Sequence, residues 1–160
     1  MTTPAKTGGS PSEVVRAVID LATQGAMGGA AAQSRLAGRL AELYADPTYV
    51  LHPLRPDLPP LVHHDDFRRH AEAIGQNRPR PEAFRAVDIV THATTDPELV
   101  VTEFRYEMTV NGTTMIMPCI WVTRVRDGHI VEARDYNGDP HPRNPISMEG
   151  TVDRGISSGV

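Results

Sequence analysis

Four runs of residues in the C-terminal half constrain the fold more than anything else in this chain. Phe84–Ala93, Leu99–Val110, Thr113–Val125 and His129–Asn137 are rich in β-branched and aromatic residues, the signature of strands. Between them stand Asp96-Pro97, Asn111-Gly112 and Asp127-Gly128, each an explicit turn signal. Turns this tight join antiparallel neighbours, so the half reads as a meander.

The preceding half follows a helical period. Ser10, Pro11 and Glu13 mark a helix start: Ser caps, Pro suits the first helical position, and Glu reaches back to the cap. Val14, Val15, Val18, Ile19 and Ala22 form one apolar stripe, which Gly25, Gly28 and Gly29 interrupt. A second helix carries Leu36, Leu40, Leu43 and Tyr44 and stops at Asp46-Pro47, because the residue before proline is pushed out of helical geometry. A short strand over Tyr49–His52 and a proline-rich loop, Pro53–Pro60, lead to a third helix. That helix starts near His64 or Asp65, turns Phe67, Ala71 and Ile74 inward, and ends at Gly75 and Arg78-Pro79-Arg80-Pro81. Three helices followed by a meander make an α+β fold, with the helices packed on one face of the antiparallel sheet.

The chain of 160 residues fits one domain. Residues 1–9 are expected to be a disordered lead-in, 10–139 the folded domain, and 140–160 a flexible C-terminal tail without hydrophobic period. A net charge of −4 argues against a nucleic-acid partner. A single cysteine, Cys119, excludes an internal disulfide. No apolar run approaches the roughly 18 residues of a membrane span, and the first residues lack an apolar signal segment. The expectation is a cytoplasmic domain without membrane contact.

Register decides which side chains share a face. With Asn111-Gly112 as a two-residue turn, Met108, Tyr106, Phe104 and Thr102 lie opposite Met115, Met117, Cys119 and Trp121, an almost wholly apolar face. Glu103, Arg105 and Glu107 then face outward and look solvated. For the second turn, a three-residue loop Arg126-Asp127-Gly128 pairs Thr123 with Val131, Trp121 with Ala133, and Cys119 with Asp135. Pro118 cannot donate to a ladder, so a bulge or an edge position is expected there. In this register Asp135 is the one carboxylate on the inner apolar face of the last three strands. Burial raises the pKa of such a group and makes it a candidate general base or acid; the alternative is a carboxylate that merely bonds backbone at a strand end.

The segment ELYADPTYVLHP, the strand Leu99–Met108 and the closing stretch IWVTRVRDGHIVEARDYNGDP resemble the SnoaL-like branch of the nuclear transport factor 2 superfamily, over about residues 12–139. Ketosteroid isomerase, limonene epoxide hydrolase and scytalone dehydratase are relatives in that superfamily. The resemblance implies a cone: a strongly bent sheet around a pocket closed by the N-terminal helices. It implies that Asp135 holds the position of a recurrent pocket carboxylate and that His52, in Leu51-His52-Pro53, points into the same pocket. It also adds a homodimer formed through the sheet. Limonene epoxide hydrolases carry an Arg-x-Asp pair on the strand matching Leu99–Met108. Here Phe104 and Tyr106 stand at those places, and Arg105-x-Glu107 copies the spacing on the outward face.

Other constellations have plainer readings. His63-His64-Asp65-Asp66 invites a metal, but only Asp66 and His70 share a helix face, and two ligands close no site. Acids near the positive end of a helix explain the run. Cys119 reads as a small buried hydrophobe rather than a nucleophile. Met108, Met115 and Met117 suit an irregular pocket wall as well as a core.

The expected function is that of an acid–base enzyme with no cofactor and no metal. Its substrate is a small apolar oxygenated metabolite that it cyclises, isomerises or dehydrates, by resemblance in secondary metabolism. Asp135 moves the proton, His52 relays it or orients a water, and Tyr106 donates to a developing oxyanion. Asp135 is expected within hydrogen-bond reach of His52 or Tyr106, directly or through one water. Phe104, Met108, Met117, Cys119, Trp121, Ala133 and Phe67 are the expected substrate-binding wall. A non-catalytic protein binding an apolar ligand, an interaction or dimerisation domain, and an epoxide hydrolase of the limonene type are the alternatives.

Overall fold

The computed structural model describes residues 8–143. Most of the expected lead-in and tail, 1–7 and 144–160, lies outside the described residues. The chain forms α1 (Pro11–Ala41), β1 (Val50–Leu51), α2 (His64–Asn77), β2 (Ala83–Ala93), β3 (Leu99–Val110), β4 (Thr113–Arg126), β5 (His129–Asn137) and β6 (His141–Pro142).

The helix start is a reciprocal cap. Glu13 N–H donates to Ser10 Oγ at 3.4 Å, and Ser10 N–H donates to Glu13 Oε2 at 2.6 Å. Helix α1 buries Val14, Val15, Val18 and Ile19, then breaks at Gly29, where φ is 75° and ψ −171°. That conformation belongs to glycine, so α1 is two helical segments meeting at a kink, and with α2 they are the three helices anticipated. The second segment ends at Ala41 rather than at Asp46-Pro47. Its continuation is claimed by the sheet: Ala45 N–H donates to Ile130 O, and Ile130 N–H donates to Leu43 O, both at 2.9 Å. Strand β1 is correspondingly short and pairs parallel to β5, Val50 opposite Ala133.

The sheet runs β1-β5-β4-β3-β2 and is curved and unclosed. From β2 to β5 it is the antiparallel meander expected. The turns at Asn111-Gly112 (φ 50° and 74°) and Asp127-Gly128 (φ 51° and 78°) are both two-residue hairpin turns with positive φ at each central residue. The β3–β4 register is the one anticipated, with Met108 opposite Met115 and Thr102 opposite Trp121, and it runs unbroken past Pro118. No bulge forms at Pro118. Its carbonyl accepts from Gly138 N–H at 2.8 Å, so its missing N–H points to the flank where β5 has just ended at Asn137.

The β4–β5 register differs from expectation. Arg126 pairs with His129, so the loop has two residues, and the register then shifts between Arg124 and Val125. Val125 lies opposite Ile130 and Arg124 opposite Glu132, which leaves Val131 as the extra residue of a bulge. Ile130 therefore turns inward in the place expected for Val131. Thr123 pairs with Ala133, Trp121 with Asp135, and Cys119 with Asn137. Beyond the bulge the slip is two residues, so Ala133, Asp135 and Asn137 keep their face while changing partner.

Two further corrections concern the periphery. Residues 141–142 are not loose chain. Strand β4 extends beyond the end of β5, and β6 fills the vacant flank, His141 opposite Ile116 and Pro142 opposite Met115. Glu107 is on the outer face but is not solvated; it is 5% exposed. Arg85 Nε donates to its Oε2 at 2.9 Å, and Arg105 and Arg143 lie at 3.6 and 3.8 Å from its other oxygen. These guanidinium groups cover the carboxylate and hold its pKa below the ordinary value.

Candidate active site

A cavity of about 690 Å³ lies between the inner face of the sheet and the two helices. Seven of the ten predicted site residues line it: Asp135, His52, Tyr106, Met108, Met117, Trp121 and Phe67. The other three are buried but do not line it. Phe104 packs edge-on against Tyr106 (5.0 Å between centroids) and Trp121 (4.8 Å), and those two rings take the cavity side. Ala133 sits opposite Thr123 and Val50 instead of Trp121, because of the bulge at Val131. The Cys119 thiol turns to Met117 O at 3.5 Å, and burial pushes its pKa up to about 12, so it is a neutral filler of the core.

Asp135 is the chemical focus. It comes from β5, is 8% exposed, and its Oδ1 is buried without a hydrogen-bond partner. Desolvation alone raises its pKa from 3.8 to about 7. The direct contact expected with His52 or Tyr106 is not made: no hydrogen bond joins them among the described residues. Two phenols share its surroundings. Tyr106 and Tyr44 are buried, and burial first raises the pKa of each; Asp135 adds to it at Tyr44, and Cys119 and then Asp135 at Tyr106. Both are neutral donors at ordinary pH. Opposite Asp135, the Trp121 indole N–H donates to Asn137 Oδ1 at 2.8 Å, which fixes the plane of that ring on the cavity wall.

His52 does reach the cavity, at the exit of β1. Its Nδ1 is buried and unpartnered, and its ring stacks on His70 with centroids 5.5 Å apart and planes 24° apart. Burial, then His70 and Arg55, lower its pKa to about 4, so the ring is neutral at pH 7. His70 is lowered as well, by burial first and then by Arg78 and Arg55.

Sequence reasoning missed Tyr44 and His70. Tyr44 looked like one more apolar helix residue, yet it lies beyond α1, packs on Phe67 at 4.4 Å and lines the cavity. His70 follows Phe67 by three and precedes Ile74 by four, so the helical period that turns those two inward was the available signal.

The His63–Asp66 run serves the helix. Asp66 Oδ2 accepts from Val62 and His63 N–H at 2.9 and 2.8 Å, and His63 Nδ1 meets Asp46 Oδ1 at 2.8 Å. Among the described residues no three His, Cys, Asp or Glu side chains gather as a metal site. Arg105 and Glu107 pair with each other and with Asp88 and Arg85 on the far side of the sheet, away from the cavity.

The sequence profile described as the SnoaL-like domain matches residues 30–133 of this chain, well over half of it. The chain belongs to the SnoaL-like family. No curated protein matches this SnoaL-like chain in sequence. Solved structures do resemble it. A candidate isomerase from Bacillus subtilis is 19% identical with a TM-score of 0.62, covering 80% of this chain and 86% of its own. A candidate polyketide cyclase from Xanthomonas campestris pv. campestris is 16% identical with a TM-score of 0.58, covering 79% and 88%. The epoxide hydrolase/cyclase-like enzyme SalBIII, described for pyran ring formation in the polyether salinomycin, is 14% identical with a TM-score of 0.60, covering 83% and 95%. At such identities the likeness speaks to the fold. The SnoaL-like match ends at Ala133, two residues before Asp135, so the reading of that carboxylate rests on its own geometry. No described helix is long and apolar enough to cross a membrane.

Proposed function

We propose that this SnoaL-like chain is a cofactor-independent acid–base enzyme acting on a small, largely apolar, oxygenated metabolite. The reaction class is ring closure, isomerisation or dehydration. One observation carries the reading: an unpartnered carboxylate, Asp135, is buried at a cavity wall and has a pKa near 7. A group with that pKa takes or gives a proton readily at neutral pH, which an ordinary aspartate does not. Tyr106, a neutral buried phenol, supplies a donor for negative charge developing on a substrate oxygen. His52, neutral at pH 7, accepts from a water or relays a proton. A carboxylate base used with a Tyr donor is the arrangement known for ketosteroid isomerase.

The test is proton abstraction from a probe ketone. β-Tetralone, an apolar bicyclic ketone, exchanges its α-hydrogens with deuterated solvent at a rate read by NMR. The wild type should accelerate exchange. Asp135→Asn should bind the probe and slow exchange by about a hundredfold or more, and His52→Ala should cost less. Equal exchange by wild type and Asp135→Asn would end the catalytic reading. That Asp135 Oδ1 has no hydrogen-bond partner among the described residues favours the second one, a binding protein for apolar ligands.

A further inference from the structure

The mouth of the cavity has a feature that proton transfer at Asp135 does not use. Beyond α2 the chain runs Arg78-Pro79-Arg80-Pro81, and both arginines line the cavity at its exposed rim. Proline fixes φ on either side of Arg80, so the segment is a stiff strap with little freedom left to lose on binding. The strap is also anchored. The break at Gly29 leaves the Met27 carbonyl beside it, and Arg80 Nε donates to that oxygen at 3.0 Å. The Arg80 stem lies over Gly29, where an added Cβ would meet it at 3.6 Å.

The charges at this rim are unevenly paired. Arg55 is held bidentately by Asp57, at 2.9 and 2.7 Å. Arg78 has no ion pair or side-chain hydrogen bond among the described residues, and Arg80 uses only Nε. Asp139 also lines the rim, with Arg55 as its basic neighbour. Two guanidinium groups on a stiff strap thus stand without an ion-pair partner among the described residues, over a largely apolar chamber.

We propose that Arg78 and Arg80 recognise an anionic end of the substrate, so that the cavity takes an apolar body terminating in a carboxylate or a phosphate. The inference rests on the reading of this cavity as the substrate site, and it names the class of molecule that enters. Planar guanidinium donors match the paired oxygens of both anions, and at an exposed rim the anion keeps part of its water while the apolar body is buried.

The experiment uses three probes that share one chain: decanol, decanoate and decyl phosphate. Trp121 is the only tryptophan and lines the cavity, so its emission reports occupancy. The wild type should bind at least one anionic probe about fivefold or more tighter than decanol at low salt, and added salt should erase the difference. Arg78→Gln and Arg78→Gln/Arg80→Gln should lose the preference stepwise while binding decanol unchanged, which also shows that the cavity is intact. A preference for decanoate alone or for decyl phosphate alone assigns the anion. Equal binding of alcohol and anions by wild type, or a preference that survives in the double variant, would overturn anion recognition and leave the cavity reading standing. If none of the three probes changes Trp121 emission, the cavity is not a binding site for such chains and both readings fall.

Discussion

Trp121 and Asp135 stand directly opposite each other across the β4–β5 ladder, on the face that lines the cavity. The only tryptophan of the chain is therefore a built-in reporter on its most perturbed carboxylate. Its emission should titrate with a midpoint near 7, the pKa that burial sets for Asp135. In Asp135→Asn the transition should vanish, while changes caused by the histidines persist. A midpoint near the ordinary aspartate value would show that Asp135 is solvated.

The same pKa makes stability depend on pH. Burial raises the folded-state value from 3.8 to about 7. Between those limits the folded protein holds a proton that the unfolded chain releases, so stability declines as pH rises through the window and levels off above it. Asparagine removes the ionisation. Relative to wild type, Asp135→Asn should gain stability with rising pH, by at most about 4 kcal/mol. Urea midpoints measured at either end of the window decide it, and parallel pH curves for the two proteins would contradict it.

Gly29 adopts φ 75° and ψ −171° between the two segments of α1. A Cβ finds space there, since the nearest atom is 3.6 Å away, so the cost of substitution is backbone strain rather than collision. Gly29→Ala should lose about 1–3 kcal/mol in urea denaturation. Gly38→Ala, where nothing lies within 4 Å, should be neutral or slightly stabilising because the site is helical.

The outer face of the sheet carries a cross-strand row of Val90, Glu103, Ile120 and Tyr136. Val90 is 49% exposed and Ile120 45%, an apolar pair in the middle of alternating charges. The proposal of a homodimer through this face predicts a light-scattering mass of twice the 17.5 kDa chain. Ile120→Glu should return it to one chain. A monomer at micromolar concentration in the wild type would count against the proposal.

How far the sequence foretold this molecule depends on where the information was local. The bounds of β3 and β5 and the β3–β4 register follow from turn chemistry, since Asn111-Gly112 and Asp127-Gly128 take the positive φ that their residue types permit. The bulge at Val131 was not legible. Ile130 and Val131 are both aliphatic, so either can face the core, and only packing against Val125 chooses. Asp135 was found on the correct face because the misread loop and the missed bulge each shift the register by one residue, and together by two. The burial of Glu107 was not legible either, because Arg85, Arg105 and Arg143 come from separate parts of the chain. Asp135's isolation from His52 and Tyr106 is likewise tertiary, since His52 follows β1 on one side of β5 and Tyr106 lies on β3, beyond β4 on the other.

That parallel meeting of β1 and β5 has a temporal side. Val50 leaves the ribosome more than eighty residues before its partner Ala133, and Thr48 Oγ1 must wait as long for the Ile130 carbonyl that accepts its hydrogen bond. Until the strands have been synthesised, the helical half can cover its apolar stripe only by packing α1 on α2. The β1 edge is therefore completed last, with long-range pairing slowing that step, and during translation the incompletely covered first half is a natural client of a chaperone.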